Sequence, residues 1–331
     1  MNARAGGLLL LLSFSAVGTL VPGLASPDGA AAPSPAAPAP ELIGEGVIST
    51  PDDELGATIS PDGRTLYFER SVPPHYLYVL YESHLVNGAW SAPEVLPFSG
   101  RYRDTDPVLS PDGRTMLWAS DRPVSGVDRH HFYIWEASRR GEGDAGGWSE
   151  PRILEGPVND GFNQVFCSIA ANGNLYFASS RKGAGYDLYR SRLVDGRYQA
   201  AEELTDLNDP SIWSFEATIA PDESYLLIGS FGRRPSYGSS DLYISFRRGD
   251  GWTPPRNLGP IVNSPARDYS PRISGDGKWM LYTSERLDRA PSLPFDAGGF
   301  TRLSRGLYNT LGNIYRVPLE SVIGGDAADL R

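Results

Sequence analysis

Acidic side chains stand at fixed distances ahead of a recurring four-residue turn. Counting back eight positions from the third residue of each turn gives Glu54, Asp104, Gln164, Ser214 and Asp268, and counting back six gives Gly56, Asp106, Phe166, Glu216 and Ser270. Carboxylates gathered from such columns suit general acid and base work, cation binding, or capture of a polar ligand. A basic set accompanies them. Arg122, Arg181 and Arg286 end the strands that follow the turns, with Arg70 and Arg233 nearby. Guanidinium forks beside carboxylates fit a peptide terminus or glycan, and they equally fit a structural role in which each Arg pairs with the acidic residue of the adjacent repeat.

Other catalytic devices find little support. No Gly-x-Ser-x-Gly segment offers a serine on a strained turn. The histidines are His75, His84, His130 and His131, and neighbours along a strand edge such as His130 and His131 point to opposite faces, so they cannot share a metal. They read as surface or packing residues. Cys167, the only cysteine, lies in the apolar run Val165-Phe166-Cys167 and reads as a buried small hydrophobe.

The elements that carry these columns repeat. Ser60-Pro61-Asp62-Gly63 returns as Ser110-Pro111-Asp112-Gly113, Ala170-Ala171-Asn172-Gly173, Ala220-Pro221-Asp222-Glu223 and Ser274-Gly275-Asp276-Gly277, at spacings of 50, 60, 50 and 54 residues. Pro presets φ, Asp bonds its own backbone, and Gly accepts positive φ, so these residues make turns and mark no single site. An apolar strand precedes each turn. A β-branched or aromatic strand follows it, then a third strand with a Tyr signature (Tyr78, Tyr133, Tyr189, Tyr243, Tyr315), and an aromatic turn leads to a fourth. That period predicts an all-β fold, a β-propeller of five four-stranded blades, with six blades as the alternative count. After Ile314 to Val317 the last unit lacks its fourth strand, whereas Pro40-Glu41-Leu42-Ile43-Gly44 matches Pro255-Arg256-Asn257-Leu258-Gly259. The N-terminal strand is therefore expected to close the last blade, which removes open sheet edges. In such a ring the innermost strands line a channel, and Glu54, Asp104, Asp106, Gln164, Glu216, Asp268, Arg122, Arg181 and Arg286 are the expected ligand-binding residues at its mouth.

The Ser-Pro-Asp-Gly turns, the strand ends Ser120-Asp121-Arg122 and Ser284-Glu285-Arg286, and Asp-Leu-Tyr at 187–189 and 241–243 together resemble the TolB-type WD40-like propeller repeat over residues 40 to 322. Ala171 and Glu223 depart from the motif. The resemblance is specific for fold and poor for function. It implies kinship with periplasmic proteins of envelope complexes, the propellers of prolyl-oligopeptidase-like peptidases and some polysaccharide lyases. The expected function is a non-enzymatic binding or scaffolding module for an envelope protein, peptide or glycan. The alternative is a glycosidase or lyase acting on polysaccharide through Asp104, Asp106, Glu216 and Asp268. A weaker third reading is a ring that binds Ca²⁺ in its channel, no other cofactor being expected.

Bulk properties bound the rest. The 331-residue chain is 40% hydrophobic and 21% charged, ordinary globular values, while 37 Gly and 28 Pro favour turns over long helices. A net charge of −10 without a basic stripe argues against nucleic acid. Residues 1–25 read as a cleaved secretory signal, with Arg4 before the apolar Leu8 to Leu12 and Gly23-Leu24-Ala25 at the cleavage site. No lipobox Cys follows, so a periplasmic or secreted monomer without a transmembrane anchor is expected. Residues 26–40 form an Ala/Pro-rich linker, 41–322 the single propeller and 323–331 a flexible tail. The segment 287–313 interrupts the last blade on the mouth side, either as a lid or as an inert loop.

Overall fold

The computed structural model describes residues 38–324 apart from 74, 126–130, 142–146, 184 and 288–295. The expected signal segment, nearly all of the linker, the extreme C-terminal tail and His130 lie outside the described residues.

Five antiparallel blades follow the predicted order. From inside to outside they are 53–59, 65–72, 77–86 and 94–95; 104–109, 115–120, 133–138 and 152–153; 164–169, 175–179, 187–191 and 202–203; 213–219, 225–231, 240–248 and 256–257; and 268–273, 279–284, 313–318 and 41–42. The closing strand is the N-terminal one, with Glu41 opposite Arg316 and Leu42 opposite Tyr315. A hairpin at 193–194 and 197–198 extends the third blade and is not a sixth. Five blades are therefore borne out.

The turns work as their composition predicts. Ser60 Oγ donates to Asp62 Oδ1 at 2.6 Å and accepts from the Thr65 amide at 2.9 Å, while Gly63 takes φ 71°. Glu223, which replaces Gly in the fourth turn, takes the left-handed φ of 59°. Its carboxylate accepts from Tyr176 Oη at 2.6 Å, Asn174 Nδ2 at 3.0 Å and Asn172 Nδ2 at 2.9 Å, so the strained residue ties the fourth turn to the third blade.

Apolar side chains alternate along the strands and fill the space between neighbouring blades. One cluster joins Tyr176, Ala178 and Leu188 of the third blade to Leu226 and Ile228 of the fourth. Another joins Leu227 and Ile244 of the fourth blade to Met280 and Tyr282 of the fifth. Cys167 is fully buried among such residues, and burial pushes its thiol up to about 12. No helix among the described residues is long and apolar enough to cross a membrane.

Part of the 287–313 segment forms the exposed helix Ala297–Ser304, which buries no side chain. Its return limb is pinned to the first blade, where Asn309 Nδ2 donates to Pro51 O at 2.8 Å and the Gly312 amide to Asp53 Oδ1 at 2.8 Å.

Candidate functional site

Most of the expected mouth residues are engaged inside their own blades. Asp104 receives Arg122 Nη2 at 3.0 Å, Trp118 Nε1 at 3.0 Å and Ser99 Oγ at 2.9 Å, and Arg122 also donates to Phe98 O. Asp268 receives Arg286 Nη2 at 3.1 Å and Ser264 Oγ at 2.8 Å, while Arg286 reaches Val262 O. In the first blade Arg70 Nε lies 3.2 Å from Glu54 Oε1, and burial pushes the Glu54 carboxyl up to about 6. Gln164 donates to Asp160 Oδ1 at 2.7 Å, and Arg181 Nη2 lies 3.1 Å from Asp160 Oδ2.

Each arginine also covers an aromatic ring of its own sheet. Arg181 Cζ sits 4.5 Å from the Tyr189 centroid, Arg286 4.9 Å from Tyr315 and Arg122 5.3 Å from Trp118. These contacts fasten the loop leading into a blade to that same blade. The expected pairing between adjacent blades is thus corrected, because the carboxylate and guanidinium project from neighbouring strands of one sheet.

Two of the expected carboxylates go elsewhere. Each innermost strand carries a β-bulge, its register shifting between Leu55 and Thr58, Thr105 and Val108, Val165 and Ser168, Ser214 and Glu216, and Tyr269 and Arg272. Gly56, Asp106, Phe166 and Ser270 there take φ of 54°, 58°, 51° and 50°. Three of these are not glycine, each at a cost of about 1–2 kcal/mol, so the ring holds strained side chains at its axis.

A bulge releases an amide from the ladder, and carboxylates take up two of them. The Asp106 amide donates to Glu69 Oε2 at 2.6 Å; the Ser270 amide donates to Glu216 Oε2, with Ser270 Oγ donating to Oε1 at 3.0 Å. At Gly56 the positive φ of the bulge is free of the strain that a side chain brings, and a Cβ there would make only an ordinary 3.5 Å contact with the Glu69 carboxyl carbon.

The result is a buried cluster of Glu69, Asp106 and Glu216, from three blades, sharing one cation, Arg272. Burial raises the Glu69 carboxyl, offset by bonds from Thr105 and the Asp106 amide. Burial also raises Glu216 to about 7 against its bonds from Ser270. Asp106 is raised well above the ordinary carboxylate range, first by burial and then by the Glu69 charge, with Arg272 opposing. It is 1% exposed, and neither carboxylate oxygen has a hydrogen-bond partner of ordinary geometry. Arg272 donates to Thr218 Oγ1 at 3.0 Å, while its Nε and Nη2 point at no acceptor.

Three buried like charges, with Arg272 the cation common to all and Arg267 acting on Glu216 as well, are costly to ionise together at neutral pH. Burial raises the phenols of Tyr78 and Tyr186, with the Asp106 charge adding to it, and the Phe166 ring, packed like Tyr186 against the third-blade core, lies 5.4 Å from Phe215. The axis therefore ends in carboxyls under an aromatic mouth.

Glu69 and Arg272 are absent from the expected set, yet each has a signal. Across the inner ladder Leu55, Thr105, Val165, Glu216 and Tyr269 face Glu69, Ala119, Ala178, Gly229 and Thr283, so Glu69 is the one large charged residue in a column of small ones. Arg272 likewise replaces Thr58, Val108, Ser168 and Thr218.

A Ser/His/Asp grouping also forms at the mouth, where His75 Nδ1 lies 3.3 Å from Ser71 Oγ and 3.6 Å from Asp53 Oδ2. Ser71 donates directly to Asp53, so its proton is not relayed through the imidazole and the grouping lacks the order a nucleophilic serine requires. Among the described residues no set of three His, Cys, Asp or Glu side chains is arranged to hold a metal ion.

No protein-family model matches the chain and no curated protein matches it, so the TolB-type affiliation is not established although the propeller is. Solved structures similar to it include an α-L-arabinofuranosidase from Lactobacillus brevis, at 13% identity over 83% of this chain and 93% of that one with a TM-score of 0.49. A gluconolactonase from Xanthomonas campestris matches at 11% identity over 86% and 96% with a TM-score of 0.41. A puromycin-hydrolysing peptidase from Mycobacterium tuberculosis matches at 13% over 79% of this chain, TM-score 0.40, and the chain spans 41% of that peptidase. Similarity at this level describes architecture and carries no chemistry. The expectation of a non-enzymatic binding or scaffolding module is corrected nonetheless. What overturns it is that Glu54, Asp104 and Asp268, on which mouth binding relied, are tied up within their blades.

Proposed function

We propose that the protein is a glycan-active enzyme, a glycosidase or lyase, whose acid and base groups are the axial carboxyls. The observation that carries this reading is Asp106, buried, strained and met by no side-chain donor, with only the Phe166 amide opposing its rise as a hydrogen-bond donor, held against Glu69 and within electrostatic reach of Glu216. A clamp carboxylate gathers side-chain donors, as Asp104 and Asp268 do, and Asp106 has none.

Asp106 has the environment of a proton donor, since burial and the neighbouring anion favour its neutral form. Glu216 is steadied as an anion by the two Ser270 donors and suits the base, with its carboxyl near 7. Arg272 limits the charge the cluster must bear. Above them Tyr78, Tyr186 and Phe166 offer the ring faces that cover the apolar side of a sugar. Asp104 and Asp268, the other candidates of the sequence reading, are clamp residues.

The test is release of reducing ends or unsaturated products from a panel of neutral and acidic polysaccharides. Wild type is expected to turn over at least one member, and Asp106→Asn and Glu216→Gln each to lose about 10²–10⁴-fold in rate. No product from any member, or full activity in both variants, overturns the reading.

A further inference from the structure

An open cleft of about 480 Å³ lies on the mouth face where the first and second blades meet, lined by Tyr76, Leu77, Arg101, Tyr102, Arg103 and Asp121 among others. Two loops build it. Tyr76 and Leu77 come from the connection between second and third strands of the first blade, and residues 101–103 lead into the second blade. Chain neighbours of both stand in or near the axial cluster. Leu77 precedes Tyr78, whose phenol feels the charges of Glu69, Asp106 and Arg103, and Arg103 lies three residues ahead of Asp106.

Its chemistry differs from that of the surface around it. The chain carries a net charge of −10, yet here two guanidinium groups face a single carboxylate. Arg103 is fixed: its Nε donates to Asp121 Oδ2 at 2.7 Å, its amide donates to Asp121 Oδ1 at 2.9 Å, and its Cζ lies 4.8 Å from the Phe132 centroid. Arg101 is exposed, and among the described residues no carboxylate lies within ion-pair distance of it. It rests 5.5 Å over the Tyr102 ring, whose other guanidinium neighbour, Arg122, is at 5.6 Å. Tyr76 is 81% exposed, an aromatic surface left to solvent at the lip.

A free planar fork binds a carboxylate bidentately, and an exposed tyrosine covers the face of a sugar ring. We propose that this cleft is a subsite for a uronic acid, so that the glycan acted on at the axis is an acidic one; the proposal rests on the glycan-active reading above. Arg101 grips the uronate carboxylate, Arg103 supplies a fixed positive wall, and Tyr76 stacks on the ring.

The experiment measures binding, not turnover, so that it can fail separately from the proposed activity. The full chain carrying Asp106→Asn is titrated by NMR or calorimetry with the methyl glycosides of glucuronic and galacturonic acid, and with those of glucose and galactose. At low ionic strength at least one uronide is expected to bind about 5–10-fold more tightly than its neutral counterpart, the contribution of one partly exposed charge-assisted contact. Adding Arg101→Ala should abolish that preference without shifting the melting temperature, because the side chain is exposed. Equal binding of uronide and neutral sugar, no binding of any of them, or a preference that survives Arg101→Ala overturns the subsite. A sulfated neutral glycoside bound as tightly as the uronide overturns its assignment to a carboxylate. Retained uronide preference in a wild type that turns over no polysaccharide would remove the activity and leave the subsite standing.

Discussion

Glu216→Gln separates a protonated axial carboxyl from an ordinary ion pair, through the pH dependence of stability. Burial carries the Glu216 carboxyl from 4.5 to about 7 in the folded protein. Below pH 4.5 the group is protonated folded and unfolded, and folding costs it nothing. Between 4.5 and about 7 the unfolded chain gives up the proton while the folded chain keeps it, so stability falls as pH rises, by up to about 1.4 kcal/mol per pH unit. Above 7 the whole loss is present, on the order of 3 kcal/mol.

Glutamine is neutral throughout and keeps the geometry: its Oε1 accepts the Ser270 amide and its Nε2 donates to Ser270 Oγ, replacing the bonds of the carboxylate. The assay is urea unfolding of wild type and variant from pH 4.5 to 8. The variant should gain on wild type across that interval by roughly the same 3 kcal/mol. A difference between the two that stays flat with pH refutes the reasoning, since it would mean that Glu216 ionises in the folded ring as freely as in the unfolded chain.

The other expectations concern the frame around that group. Arg122→Ala leaves Asp104 buried without its cation and should cost about 3–5 kcal/mol, read as a fall in the urea midpoint, where a surface arginine would cost almost nothing. Gly229→Ala sets a Cβ 2.6 Å from Glu216 Oε2; displacing that carboxylate should depress turnover and cost about 1–3 kcal/mol, both measurable on one preparation. Removing residues up to Ile43 strips the outer strand from Asn313–Pro318 and bares a sheet edge, so light scattering should show self-association absent from the longer chain.

What could be read from residues alone follows from what repeats. The turns announced themselves because Ser60, Asp62 and Gly63 each answer a local backbone demand that recurs in every blade, and the closing strand was visible because Ile43 and Leu258 hold matching places just after outer strands, their amides donating to Ile314 O and Leu242 O. The arginines were legible as partners of carboxylates, but the spacing of Asp104 and Arg122 does not say whether the pair spans two sheets or neighbouring strands of one. Only the register, Asp104 opposite Ser120, puts them in the same blade. Glu69 escaped for a different reason: its equivalents across the ring are Ala119, Ala178, Gly229 and Thr283, and a column that is small elsewhere draws no notice to the one position that is large.

That contrast separates frame from chemistry in this ring. A side chain that recurs around a closed repeat meets the same environment each time, so its role must be one that every blade needs, and the Arg70, Arg122, Arg233 and Arg286 contacts to loop carbonyls have that character. Chemistry at the axis needs the opposite, unlike groups brought to one point, and a symmetric ring supplies them only where blades depart from the pattern. Glu69 enters at a position that is small in the other blades, Gly229 gives up a side chain so that Glu216 can lie flat, and Arg272 stands where the other four blades carry Thr58, Val108, Ser168 and Thr218. Each departure costs stability by strain or by buried charge, and all of them converge on Asp106. Three buried carboxyls from three blades meeting at one point are the physical ground for the proposed placing of the reaction there.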